Sequence, residues 1–393
     1  MDSHLPLSDA PGVTVGLEPA QDLLSRVRLD RFRFVGMPQG VSPVEALDTG
    51  TAALLLGFRR PASLDQVLAQ GVPFRSSQMQ RLMDRGLLEQ RGMQFHTTFP
   101  MLLDDEAETF RRRLWEVLPS LSVAVAPAFQ GLYSALAEAG NTEAFPAIAT
   151  WVLRERSWHY LIAERTVDVG GFVEAQRQLH PNAGWWGVLW YTDPEIEPAN
   201  QFLSFTSGNR TLQLCWASGQ APERFMEPAG RSQILQFLAA LDPDSRRVRD
   251  AERFAELRSM GVIGPEGTLS SAPLEWQPAR AGGPAAAAEA AAQTVATAVA
   301  EYLPMAQLAE LLGTESQVVA ATVAYAELVP GLLLSLGGLG LDLLVDARSG
   351  AGTDETGSGA EAQAPTLDRR EPVLSATIWL GLPRGEPAFP LQW

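Results

Sequence analysis

The stretch from Leu82 to Pro100, LMDRGLLEQRGMQFHTTFP, decides how the chain is read. Just before and within it, Met79, Leu82 and Met83 stand at i, i+3 and i+4, the spacing that buries one face of a helix. Gly86 ends that helix, because glycine takes the left-handed conformation of a C-terminal cap without a Cβ clash. Leu87 and Leu88 follow, then a turn at Gln90-Arg91-Gly92. Gln94 to Phe99 returns as a strand, and Pro100 closes it.

Upstream, the pattern predicts more short elements. Arg26 to Val35 alternates apolar Val27, Leu29, Phe32 and Phe34 with arginines, and its phase slips at Asp30-Arg31, which predicts a short or bulged strand. Thr51 to Phe58 is a short apolar helix. Ser63 caps a helix from Leu64 to Gln70, and Ser76 or Ser77 caps one from Gln78 to Arg85. Three short helices and then a two-stranded hairpin is the winged-helix order, and Leu82 to Pro100 resembles the final helix and wing of that superfamily. The resemblance covers about 50 residues.

Downstream, Asp104 to Ala139 reads as a helix whose acidic start suits the helix dipole, broken or kinked by Pro119 and Pro127. Thr142 to Glu164 reads as another helix. Gly184 to Tyr191, GWWGVLWY, reads as a strand covered on both faces. Phe202–Phe205 and Thr211–Trp216 flank a turn at Ser207-Gly208-Asn209.

A similar order then recurs. Ser232 caps Gln233 to Leu241, Asp244 caps Arg246 to Met260, Gly261 stops it, and a turn at Gly264–Gly267 leads into Thr268–Trp276. The Gly86–Gly92 and Gly261–Gly267 spacings match, and each half ends on a Trp-bearing strand, Trp185–Tyr191 and Ala376–Leu382. Duplication explains this; a chance match of two generic α/β stretches is the competing account. Ala285 to Tyr302 is alanine-rich and helix-forming.

The expectation is an α/β chain, mostly α with short strands. It holds two winged-helix-like modules, each followed by a helical segment and a Trp-bearing strand. Residues 1–22 form a flexible N-terminus, 23–103 the first module, 104–218 a helical segment plus strands, 219–280 the second module, and 281–393 a helical C-terminal region with a mobile loop at 349–365.

Composition narrows the function. At 393 residues, 46% hydrophobic and 19% charged, the chain can bury a large core. Its single cysteine, Cys215, forbids an internal disulfide, and residues 1–20 lack the basic start and apolar core of a secretory signal. The apolar run Leu328–Val345 is interrupted by Pro330 and four glycines, which favours a buried helix-turn over a membrane span. A cytoplasmic location without membrane contact is the expectation. All 30 basic residues are arginine. Coding bias explains that, and so does avoidance of amine-directed chemistry.

Catalytic signatures are absent from the sequence. There is no GxSxG, and without lysine no phosphate-loop or Schiff-base lysine. His4, His96, His159 and His180 are scattered, so no zinc ligand set forms, and no cofactor is expected. Cys215 lies in the apolar LQLCWAS and reads as a buried thiol.

The basic residues separate two function classes. Between Leu23 and Leu103, ten arginines face six acids, so this segment is +4 and the remainder of the −16 chain is −20. If the first module binds DNA, its third helix presents Gln78, Gln80, Arg81 and Arg85 to the major groove, and the wing offers Gln90 and Arg91. The net negative charge opposes that reading. It favours a non-enzymatic interaction or scaffold protein with a protein partner or self-association. At the level of architecture this resembles the tandem winged-helix subunits that grip the linker protein of chromosome-organising complexes. An enzyme with a site assembled from scattered residues is the third class.

Overall fold

The computed structural model describes residues 32–37, 49–99, 101–164, 167–168, 171, 174, 178, 186–191, 200–217, 228–242, 247–264, 266–312, 317–341, 374–382 and 391–392. The fold is α/β, mostly helical with short strands. Residues 1–22, the proposed cap Asp244 and the loop 349–365 lie outside the described residues.

Strand β1 (Phe32–Met37) covers the end of the expected alternating stretch, whose residues 26–31 lie outside the described residues. Helix α1 (Thr49–Gly57) is apolar all round and is buried accordingly: Leu54 and Leu55 are fully enclosed. Helix α2 (Leu64–Ala69) starts at a capping box, in which Ser63 Oγ accepts from Gln66 N and Gln66 Oε1 accepts from Ser63 N at 2.7 Å. Helix α3 (Ser76–Asp84) corrects one expectation. Neither Ser76 nor Ser77 caps it; both lie inside, and the Gln78 carboxamide reaches back to the Arg75 N–H at 2.9 Å. Gly86 has φ +65°, as its capping place requires. The hairpin β2 (Leu88–Arg91) and β3 (Gln94–Thr97) pairs Arg91 with Gln94, so its tip is Gly92-Met93, one residue later than expected. Phe58, Leu82, Leu88 and Phe95 close this small core.

After β4 (Met101–Leu102) comes α4 (Asp104–Glu138), one continuous helix of 35 residues. Pro119 and Pro127 do not break it. Each proline removes one backbone bond, from the carbonyls of Trp115 and Val123. Both prolines and both of those residues lie on the exposed side, which leaves the freed carbonyls open to solvent. A 3₁₀ turn (Thr142–Ala144), α5 (Phe145–Trp151), a π turn (Val152–Arg156) and α6 (Ser157–Ala163) then run on almost without interruption.

The remaining strands are β5 (Trp186–Tyr191), the hairpin β6 (Asn200–Ser207) and β7 (Arg210–Ala217), β8 (Leu241–Asp242), β9 (Arg247–Val248), β10 (Leu274–Glu275), β11 (Leu374–Leu380) and β12 (Leu391–Gln392). The helices among them are α7 (Pro228–Ala240), α8 (Ala255–Ser259), α9 (Pro284–Tyr302), α10 (Met305–Leu312) and α11 (Gln317–Gly338). Two expectations fail here. Ser232 lies inside α7 rather than at its start. The expected helix Arg246–Met260 is divided: Arg247–Val248 is extended, Asp250 takes φ 52°, and only Ala251–Ser259 is helical. Gly261 at φ 76° still ends it.

Two four-stranded sheets carry the same neighbour pattern, β12-β1-β5-β4 and β6-β7-β11-β10. In each, a Trp-bearing strand pairs parallel with the short strand that follows a turn region, Leu102 beside Trp190 and Leu274 beside Trp379. On its other side it pairs antiparallel, with β1 or β7. The outer strands are exchanged. The β5 to β6 connection leaves the first sheet for the second, and the β11 to β12 connection returns.

One large core joins the halves. It takes Phe110, Phe129, Phe145, Trp158, Tyr325 and the buried alanines of α9. Those alanines let α9 approach α4 and α6 closely. Among the described residues two helices could cross a membrane by length and composition, Glu106–Glu138 and Gln317–Gly338, with 44% and 67% of their most apolar windows buried inside the fold.

Candidate interaction surfaces

The residues singled out for DNA contact do share the α3 and hairpin surface, but most are already engaged. Gln80, Arg81, Arg85 and Arg91 are exposed, and Gln78 is half-buried. Gln78 is spent on the α3 cap. Gln80 Nε2 donates to Asp84 Oδ1 at 2.7 Å, and Arg81 Nε donates to the Ser77 carbonyl at 3.4 Å. Arg91 pairs with Glu89 at 2.6 Å, and the same carboxylate receives His96 Nε2. Gln90 folds onto the Gly92 carbonyl at 2.9 Å. Met93, 84% exposed, crowns the hairpin.

The second surface is the outward side of α4. From Val117 to Ala137 the helix carries no charged residue. Its inward side is filled by Leu121, Val125, Phe129 and Leu132. Its outward side presents Pro119, Ser120, Val123, Ala124, Pro127, Gln130, Gly131, Tyr133, Ser134 and Ala137, with Val123 66% and Tyr133 44% exposed. Trp115, 45% exposed, stands near the start of this strip, and Arg112 and Arg113 lie beside it. Glu138 closes the far end. Only the two prolines and the missing charges signal this strip in the sequence.

The buried polar groups hold the scaffold behind these surfaces. The π turn sets Arg156 against Glu289 of α9: Nε donates to both carboxylate oxygens, at 3.1 and 3.0 Å, and Nη2 makes a further bond. Tyr160 OH donates to the same carboxylate at 2.6 Å, and the Arg156 guanidinium lies 5.7 Å from the Trp276 ring centroid. Trp276 stands edge-on to both Trp151 and Trp379, with centroids 5.6 and 5.3 Å apart, and Trp151 and Trp379 are tilted to each other at 6.1 Å. Burial pushes the Glu327 carboxyl up to about 7, and Arg111 pulls in the opposite direction without prevailing. Glu155 is likewise raised to about 7 by burial, against the pull of Arg154.

Comparison with protein-family models, curated proteins and solved structures finds no match. The functional reading therefore rests on these surfaces alone.

Chemistry is sparse elsewhere. Burial pushes the Cys215 thiol up to about 12, outweighing the Thr150 contact at 3.6 Å and the Arg154 charge. Such a thiol is protonated and unreactive. Among the described residues, no three of His, Cys, Asp and Glu gather closely enough to hold a metal ion.

Proposed function

We propose that this chain is a non-enzymatic docking protein that receives an apolar helix of a protein partner on the outward side of α4. The observation that carries this reading is the charge-free, half-exposed strip from Val117 to Ala137. A helix face that packs on nothing normally bears charge, so a long exposed face without any marks a contact site. Ser120, Ala124 and Gly131 let a second backbone come close.

The ends of the strip argue for the partner's chemistry. Arg113 is paired with the exposed Glu116 at 3.1 Å, which leaves Arg112 to favour a carboxylate at one end of the incoming helix, and Glu138 favours a base at the other. From Arg112 to Glu138 the helix rises about 39 Å, which at a width of about 10 Å gives roughly 400 Å². A stable interface needs about 800 Å² per partner. The strip alone falls short of that, so the partner's contact reaches beyond it. The shared strand pattern of the two sheets supports reading the chain as two related halves around this helical core. The element order of α1, α2, α3 and the β2–β3 hairpin supports the winged-helix likeness of the first half.

A photo-crosslinking residue at position 123, compared with one at the Gly208 hairpin tip, tests the reading in the native cell. Capture of a helix from another protein at position 123 alone supports it. Capture of this chain's own α4 replaces the partner with a second copy, and equal capture at both positions overturns the surface.

The second reading, a DNA-binding regulator, is favoured by one observation: Arg81, Arg85 and Arg91 all face solvent on the α3 and hairpin side.

A further inference from the structure

Helices α4 and α11 lie side by side and run in the same direction. Arg111 meets Glu327 at one level, and Leu118 meets Gly331 further along both helices. Seven residues on α4 and four on α11 separate the two contacts, so both fall on one seam. A Cβ on Gly331 would stand 2.6 Å from Leu118 Cδ1, so glycine at this place lets α11 sit deep against α4.

The solvent side of the seam is a furrow with uncharged banks. Trp115 on α4 and Leu334 on α11 each lie about 60° round their helix from the seam, and both are exposed, by 45% and 54%. Pro119 and Val123 continue the α4 bank at steps of four residues, and Pro330 and Gly337 extend the α11 bank. Past Glu327 the next charge in the chain is Asp342, so the second half of α11 is charge-free, and Leu339 just beyond it is 48% exposed. The furrow stays open at Gly338, where an added Cβ meets nothing within 4 Å. Arg112 stands one turn before Trp115 and is exposed. Its neighbours are taken, Arg111 by Glu327 and Arg113 by Glu116.

We propose that the docking surface continues from α4 onto α11, and that a partner helix lies along the furrow with an uncharged face against Trp115, Val123 and Leu334 and a carboxylate beside Arg112. This rests on the docking role proposed for α4. The strip on α4 is too small by itself, so the added contact has to adjoin it, and the end of α11 does. Two packed helices offer a third the ridges and grooves into which its side chains fit. Charge sets the direction. The dipoles of α4 and α11 point the same way, so a third helix is favoured antiparallel, with its negative C-terminal end and its carboxylate at Arg112.

The test places photo-crosslinking benzoylphenylalanine at position 334, at 123 and, as a control, at 235, an exposed leucine of α7, in the full chain in its native cell. The captured segments are then sequenced by mass spectrometry. One segment of another protein is expected at both 123 and 334, in a stretch without charge between the two contacts, and not at 235. L334D and G338F should each lower capture at 123 about tenfold with an unchanged melting temperature. G338F fills the furrow from a position with open space, so it decides the matter even if L334D disturbs the helix. Capture at 123 but not at 334, or undiminished capture in G338F, overturns the furrow and leaves the α4 strip standing. No capture at either position removes both. Capture of this chain's own residues at 334 puts a second copy in the furrow and overturns the partner helix.

Discussion

Arg111 on α4 donates its Nε–H to Glu327 Oε2 on α11 at 3.2 Å, and both side chains are about nine-tenths buried. The pair crosses the core between the two halves of the chain. Arg156 and Glu289 make a second crossing, with the acid on α9 and the base on the π turn.

Removing one partner leaves the other charge buried. R111L is therefore expected to cost about 3–5 kcal/mol of unfolding free energy, and R111L/E327L to recover most of that loss. Denaturant titration of the two variants checks this. A single-variant cost below about 1 kcal/mol would show the pair to be solvated like a surface ion pair.

The raised carboxyls predict a pH dependence of stability. Glu327 and Glu155 lie near 7 in the folded chain, against an ordinary 4.5. Between those values the folded state holds protons that the unfolded state has released, so stability falls as pH rises from about 4.5 to about 7. The loss is of the order of 3 kcal/mol per group. E327Q should flatten the slope in unfolding measured at pH 5 and pH 8. An unchanged slope counts against Glu327 as its source.

Much of the local structure was legible from the residues. Glycine stops, the Ser63 cap and the Gly208 turn all follow from backbone conformations that few residues accept. The tertiary relations were not legible. Nothing local reveals that β6 and β12 exchange sheets, since pairing is a long-range choice. Helix α4 runs unbroken through Pro119 and Pro127 because both stand on its exposed side, where the freed carbonyls are open to solvent rather than buried without a partner. The cross-core pairs left a faint trace: Glu289 is the lone charge in an alanine run, and Glu327 the lone charge between Gln317 and Leu341. A charge so placed needs a buried partner, though not a particular one. Of the DNA-contact candidates, solvent exposure of the arginines was legible. The capture of Gln78 by its own helix cap was not.

The regulator reading makes its own prediction. If the α3 and hairpin surface binds DNA, affinity falls steeply between low and physiological salt, and R81A/R85A abolishes it without lowering the melting temperature. Gln78 and Gln80 are engaged within the protein, so little base specificity is expected even then. No binding at low salt removes this reading.

Exposed glycine and proline on α4 give a stability prediction as well. P119A restores one helical bond at a solvent-facing position and should stabilise the chain by about 1 kcal/mol or more. Thermal unfolding checks it. A destabilised P119A would mean that the proline ring packs in a way its exposure does not suggest.

The most direct test of the docking account is sedimentation of the protein isolated from its native cell, as the unaltered chain and as V123D. Position 123 is two-thirds exposed, so the carboxylate costs the fold little. The account predicts that the unaltered chain sediments with a bound partner, and that V123D sediments as the free chain with an unchanged melting temperature. A V123D chain that keeps the same partner would contradict it.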